Sequence, residues 1–173
     1  MAGFTLHKLH DSFGAEIRGL DLSAPMDPET CEAVTQAWLD HLILLFRDQD
    51  LTPEAQRKFC EQFGPLGGRL RKAEDRPEGR DAENIMLVTN VRKNGVPIGS
   101  LPDGEMFFHH DKCYAREPDW GTMLYAMEVT RVGGHTLFAN MYDAWETLPG
   151  DLKDRIEGRQ VLHIYKYLPT ERV

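Results

Sequence analysis

Apolar and polar residues alternate at the start of the chain: Phe4, Leu6 and Leu9 precede a polar break at Ser12-Phe13-Gly14, and Ala15, Ile17 and Leu20 follow it. A period near two marks a strand with one covered face, so residues 4–22 are predicted as two short strands around a turn. The period then lengthens. Cys31, Val34, Trp38 and Leu42 recur at helical spacing behind Asp27-Pro28-Glu29, which supplies a capping carboxylate, a proline at the first helical position and an acid near the positive end of the helix dipole. This predicts a helix to about His41. The unbroken run Leu42-Ile43-Leu44-Leu45-Phe46 reads as a fully buried strand that ends at Arg47-Asp48. Thr52-Pro53-Glu54 opens a second helix that buries Ala55, Phe59 and Phe63, and Gly64-Pro65 stops it.

The apolar pattern lapses over residues 67–84, where Arg69, Arg71, Lys72, Arg76 and Arg80 stand among acids. A mobile loop is expected there. Mixed charge of this kind is most often a solvated insertion, and the alternative is a substrate lid. Residues 85–91 read as a strand, with turns at Asn94-Gly95-Val96-Pro97 and Leu101-Pro102-Asp103-Gly104. A long strand is predicted over 121–130, with Met123, Tyr125 and Met127 on one face and Leu124, Ala126 and Glu128 on the other. The Gly133-Gly134 turn returns it as a strand over 136–140. Two short helices, 141–148 and 149–157, and a last strand, 161–167, complete a mixed, mainly β pattern with flanking helices, expected to form a single domain over residues 1–173.

The candidate chemistry lies in Glu105-Met106-Phe107-Phe108-His109-His110-Asp111-Lys112-Cys113-Tyr114. The aromatic and thiol residues at its ends favour extended structure, which would put His109 and Asp111 on one face and His110 on the other. An imidazole and a carboxylate two residues apart are two corners of a metal site, and two histidines with one carboxylate form the facial arrangement of non-haem Fe(II) oxygenases. Alone, His-x-Asp is a weak signal and more often only a hydrogen-bonded surface pair. About two dozen residues later comes Thr130-Arg131-Val132-Gly133-Gly134-His135-Thr136-Leu137-Phe138. Together, Phe108-His109-His110-Asp111 and Gly133-Gly134-His135-Thr136-Leu137 resemble the taurine/2,4-dichlorophenoxyacetate dioxygenase family, in which Trp-His-x-Asp is followed by Gly-Gly-x-Thr-Leu. Residues 14–22 resemble the N-terminal segment of the same family.

The resemblance implies a double-stranded β-helix, or jelly roll. It assigns His109 and Asp111 to Fe(II) and Thr136 to a hydrogen bond with a carboxylate of 2-oxoglutarate. With O2 as the other co-substrate, such an enzyme hydroxylates a small organic substrate and releases succinate and CO2. Phe108 stands where the family has tryptophan, Arg69 where taurine enzymes have a histidine, and Glu105 where they have an amide residue. Arg69, Glu105 and Phe108 are therefore substrate-pocket candidates, and the changes disfavour taurine, because exchanging a buried polar partner changes discrimination strongly. An anionic or aryl-substituted carboxylate is the expected substrate. The family's second histidine ligand and its 2-oxoglutarate arginine lie in a C-terminal segment with no counterpart before Val173, since this chain matches about the N-terminal two thirds of a family member. His163, His135 and Cys113 are poor local substitutes. The jelly roll is thus expected to be incomplete here, the chain alone inactive, and its open sheet edges apt to pair copies into a homo-oligomer. The alternative is a non-catalytic jelly-roll remnant or binding domain that lacks the third ligand.

Charge and cysteine content narrow the partners. A formal net charge of -8 argues against nucleic acid, which demands a cationic surface. No apolar run exceeds five residues, the length of Leu42 to Phe46, which is far too short to span a bilayer. Residues 1–17 lack the apolar core of a secretory signal. The cysteines, three in number, include no Cys-x-x-Cys pair, which disfavours a disulfide framework and a zinc knuckle. A cytoplasmic protein without membrane partners is expected.

Overall fold

The N-terminal alternation folds as strands β1 (Thr5–Lys8) and β2 (Ala15–Arg18), which pair antiparallel with Leu6 opposite Ile17. Strand β3 (Leu44–Phe46) lies parallel on the other side of β2, giving the order β1-β2-β3. Parallel neighbours need a crossover, and helix α1 (Pro28–His41) provides it. The computed structural model describes residues 3–68, 85–99 and 107–164, and the chain divides into two compact units, Met1–Glu105 and Met106–Val173.

In the first unit α1 starts where its capping residues require. Asp27 accepts from the Thr30 amide at 2.9 Å and from the Thr30 hydroxyl at 2.7 Å. The buried residues of α1 are Thr30, Val34 and Ala37, and Val34 and Ala37 form a core with Ile17. This row lies one residue round the helix from the predicted face of Cys31, Val34 and Trp38. Trp38 and Cys31 stay at the edge of the core because each serves a backbone carbonyl: the Trp38 indole donates to Leu42 at 3.1 Å, and the Cys31 thiol donates to Gln62 at 3.5 Å. Strand β3, predicted to be fully buried, is only half-buried, since it has one strand neighbour among the described residues.

Helix α2 (Pro53–Glu61), capped by Thr52, places Phe59 between Phe46 at 5.8 Å and Phe63 at 5.2 Å, both edge-on. Two glutamines satisfy the backbone of the irregular segment before α1. Gln49 accepts from the Leu22 amide and donates to the Leu20 carbonyl, and Gln62 accepts from the Met26 amide. The Asn-Gly turn was legible in the sequence: strands β4 (Arg92–Lys93) and β5 (Val96–Pro97) form a hairpin across Asn94 (φ 52°) and Gly95 (φ 78°), the positive pair that a two-residue turn demands. In place of the strand predicted over 85–91 there is one bridge residue, Val88. From Arg69 onward the 67–84 segment lies outside the described residues, as does the turn predicted at Leu101-Pro102-Asp103-Gly104.

Strand β2 also carries a buried acid. Glu16 has only 6% of its side chain exposed, and Arg18 donates to it twice, at 3.0 and 2.9 Å, while Arg47 reaches it at 3.4 Å. The hydrogen bonds from Arg18, helped by the charges of Arg18 and Arg47, hold the Glu16 carboxyl below the usual glutamate range against the opposing effect of desolvation. A lowered folded-state value means that this stabilisation is full above the unfolded glutamate value and is lost as pH falls through the folded one. Glu16→Gln should therefore lower stability at neutral pH and flatten the acid side of the stability profile in urea titrations. A slope identical to wild type would refute the linkage.

The second unit holds helices α3 (Met141–Glu146) and α4 (Gly150–Ile156), close to their predicted positions. Asn140 caps α3, and Gly158 (φ 68°) follows the end of α4. The strands predicted over 121–130, 136–140 and 161–167 are not formed among the described residues. Leu124, Met127, Val129, Leu137 and Leu162 are exposed there. Alternation prepares a chain for a sheet, but a strand exists only with a partner, and these segments have no ladder among the described residues. Helices consequently hold more of the described residues than strands. No helix among them is long and apolar enough to cross a membrane.

Candidate metal centre

The second unit brings His109 and Asp111 together. His109 Nδ1 lies 2.7 Å from the Phe107 carbonyl oxygen, which can only accept, so Nδ1 carries the proton. In the neutral ring, Nε2 is then left with a lone pair, and it stands 3.3 Å from Asp111 Oδ1. Two lone pairs facing each other at that distance call for a cation between them, either a proton or a metal ion. Two ligands about 2.1 Å from one ion and at right angles lie about 3 Å apart, so the observed spacing suits adjacent corners of a coordination shell. Both side chains are about half exposed, 50% and 52%, which leaves the pair accessible to an ion from solvent.

The geometry does not arise from the strand pleat that was expected. Residues 111–114 form a turn, and Lys112 has φ 51°, a left-handed conformation that ends the alternation. The turn is closed by the Ala115 amide donating to the Lys112 carbonyl at 2.8 Å and by Lys112 Nζ pairing with Asp119 at 2.7 Å. Cys113 is half-buried and belongs to no metal-donor cluster among the described residues. Thr122, which sequence reasoning did not single out, donates from Oγ1 to Asp111 Oδ2 at 2.9 Å. Each Asp111 oxygen therefore has a separate neighbour.

The other predicted site residues are less closely tied to this pair. Phe108 is 69% exposed beside His109. The Gly133-Gly134 turn forms with φ 74° and 69°, and the Thr130 hydroxyl donates to the Gly133 carbonyl at 2.7 Å. Thr136, exposed in the segment that follows, makes no hydrogen bond or ion pair to His109 or Asp111 among the described residues. Arg69 and Glu105 lie outside those residues. His135 and His163 are exposed, and no group of three or more metal-donor side chains occurs among the described residues. Sequence reasoning also missed the Phe107 carbonyl. Backbone acceptors leave no trace in residue identity, and Thr122 is eleven residues from Asp111, beyond the reach of a local motif.

Comparison with known proteins bears on this geometry. The profile of the taurine catabolism dioxygenase TauD, TfdA family matches residues 5–170. The (S)-phenoxypropionate/alpha-ketoglutarate-dioxygenase of Sphingobium herbicidovorans is 33% identical over 165 residues, which cover 95% of this chain and 54% of that protein. The alpha-ketoglutarate-dependent 2,4-dichlorophenoxyacetate dioxygenase of Cupriavidus pinatubonensis is 28% identical over 163 residues, covering 90% of this chain and 56% of its own. A solved taurine dioxygenase from Burkholderia xenovorans is 33% identical, with a TM-score of 0.37 over 39% of this chain and 25% of that one. The chain spans about half the length of the curated relatives it matches.

Proposed function

The chain belongs to the taurine catabolism dioxygenase TauD, TfdA family, and from that premise we propose that it forms part of an Fe(II)- and 2-oxoglutarate-dependent dioxygenase. The enzyme would hydroxylate a small organic anion and release succinate and CO2. The observation that carries this reading is the His109 and Asp111 pair, whose Nε2 and Oδ1 atoms face each other at 3.3 Å, a spacing that suits adjacent corners of a coordination shell. In this reading His109 holds iron through Nε2, with its ring oriented by the Phe107 carbonyl, and Asp111 holds it through Oδ1. A facial triad needs one further histidine, which the described residues do not bring to this pair. Bound iron would supply the activation of O2 coupled to decarboxylation of 2-oxoglutarate, while the protein orients and shields the reactants.

The remaining assignments follow the same reading. Thr136 donates a hydrogen bond to a 2-oxoglutarate carboxylate, Phe108 provides an aromatic wall, and Arg69 and Glu105 line the substrate pocket. Residues 1–173 form part of one jelly-roll domain that works in the cytoplasm as a homo-oligomer, on a small molecule and without nucleic-acid or membrane partners. The relatives named for phenoxypropionate and 2,4-dichlorophenoxyacetate make aryloxyalkanoates the first substrates to test.

The test is succinate release by the complete protein of which this chain forms part, with Fe(II), 2-oxoglutarate and O2 in the presence of an aryloxyalkanoate or of taurine. Stimulation by the aryloxyalkanoate above that by taurine is expected. Equal, unstimulated release with both would remove the substrate assignment. The alternative, a non-catalytic binding domain, expects anion binding that is indifferent to metal and to His109→Ala. Thr136→Val should weaken 2-oxoglutarate binding by about 1.5–3 kcal/mol, the contribution of a hydrogen bond to a charged group, and leave metal affinity unchanged. Unaltered 2-oxoglutarate affinity in a titration would sink the role given to Thr136.

A further inference from the structure

Asp111 has two chemically equivalent oxygens, and a carboxylate can bind a metal through one or both of them. The difference matters at a facial site. Three protein atoms on one face leave three positions for exogenous groups, and a carboxylate that chelates through both oxygens takes one of those positions away. The two oxygens are not equivalent in the folded chain. Oδ1 faces His109 Nε2 at 3.3 Å, while Oδ2 accepts from Thr122 Oγ1 at 2.9 Å.

We propose that Thr122 is a positioning residue that occupies Asp111 Oδ2 and so restricts Asp111 to binding metal through Oδ1 alone. The inference rests on the metal reading of His109 and Asp111 and adds the number of oxygens through which Asp111 binds. Thr122 suits the task. Its β-branched side chain has few rotamers, which limits the directions its hydroxyl can take. The intervening chain is also tethered: Lys112 pairs with Asp119 at 2.7 Å, drawing in the span between the carboxylate and its donor. Thr122 is exposed, so its hydroxyl is not needed to satisfy a buried group, and it donates to the candidate ligand itself.

The test compares Thr122→Val, which keeps the shape and removes the donor, with Thr122→Ser, which keeps the donor. Co(II) serves as the probe, because its visible spectrum reports coordination number independently of turnover. Loss of a hydrogen-bond partner behind a metal ligand typically costs 10–100-fold in metal affinity. Thr122→Val is expected to weaken Co(II) binding by about tenfold or more and to shift the spectrum towards higher coordination, with an unchanged circular dichroism spectrum. Thr122→Ser should restore both affinity and spectrum.

Two results would overturn the inference alone. One is wild-type Co(II) binding that is lost in His109→Ala but unchanged in Thr122→Val. The other is a Thr122→Val defect that comes with lost secondary structure and is shared by Thr122→Ser, which would make Thr122 a structural residue. Absence of Co(II) binding by the complete wild-type protein would overturn the metal reading and this inference together.

Discussion

Replacing His109 with alanine is expected to abolish the visible charge-transfer band that the proposed reading predicts for the complete protein with Fe(II) and 2-oxoglutarate under anaerobic conditions, and Asp111→Ala is expected to do the same. In the proposed reading each change removes a ligand outright. Loss of a hydrogen-bond partner behind a ligand already costs 10–100-fold in metal affinity, so loss of the ligand should exceed about a hundredfold. The experiment is clean because both side chains are about half exposed, and their removal leaves no cavity in a core. Asp111→Asn is the sharper variant. It keeps an acceptor for the Thr122 hydroxyl and removes the charge, so a lost band there isolates the electrostatic part of binding. Retention of the full band by either alanine variant would mean that the metal face is assigned to the wrong residues.

The features that could be read from sequence are those whose causes are local. Asp27-Pro28, Thr52-Pro53 and Asn94-Gly95 each carry a complete signal within a few residues, and α1, α2 and the β4–β5 hairpin begin or turn where those signals say. The buried face of α1 was displaced by one residue because hydrophobicity alone does not reveal that Trp38 and Cys31 each serve a carbonyl. In the second unit the alternating segments were visible but their partners were not. Period two says that a residue has two faces, and does not say what pairs with the backbone. The candidate site divides in the same way. His109 and Asp111 meet, but in a segment that is not a strand and that turns just after Asp111. The Phe107 carbonyl and Thr122, which orient the two side chains, act through a backbone atom and across eleven residues, and neither has a local signature.

Phe59→Ala is expected to have the largest effect on stability, because Phe59 is the middle ring of an aromatic chain that links α2, β3 and, through Phe63, α1. It is 6% exposed on α2, edge-on to Phe46 of β3 and to Phe63 just beyond the helix, and Phe63 in turn packs edge-on to Trp38 of α1 at 6.3 Å. Truncation loses the transfer free energy of the ring and leaves a cavity, together about 3–5 kcal/mol for a buried phenylalanine. Each aromatic pair contributes about 0.5–1.5 kcal/mol beyond the area it buries, which places the cost towards the upper end of that range. Domains of ordinary stability have only about 5–15 kcal/mol in total, so the variant should unfold at a much lower urea concentration. Phe59→Leu refills most of the volume without the ring and should recover more than half of the loss. The measurement is the urea midpoint by circular dichroism for both variants. A Phe59→Ala cost below about 1 kcal/mol would contradict the three-element packing, because only a ring with solvent on one side is removed so cheaply.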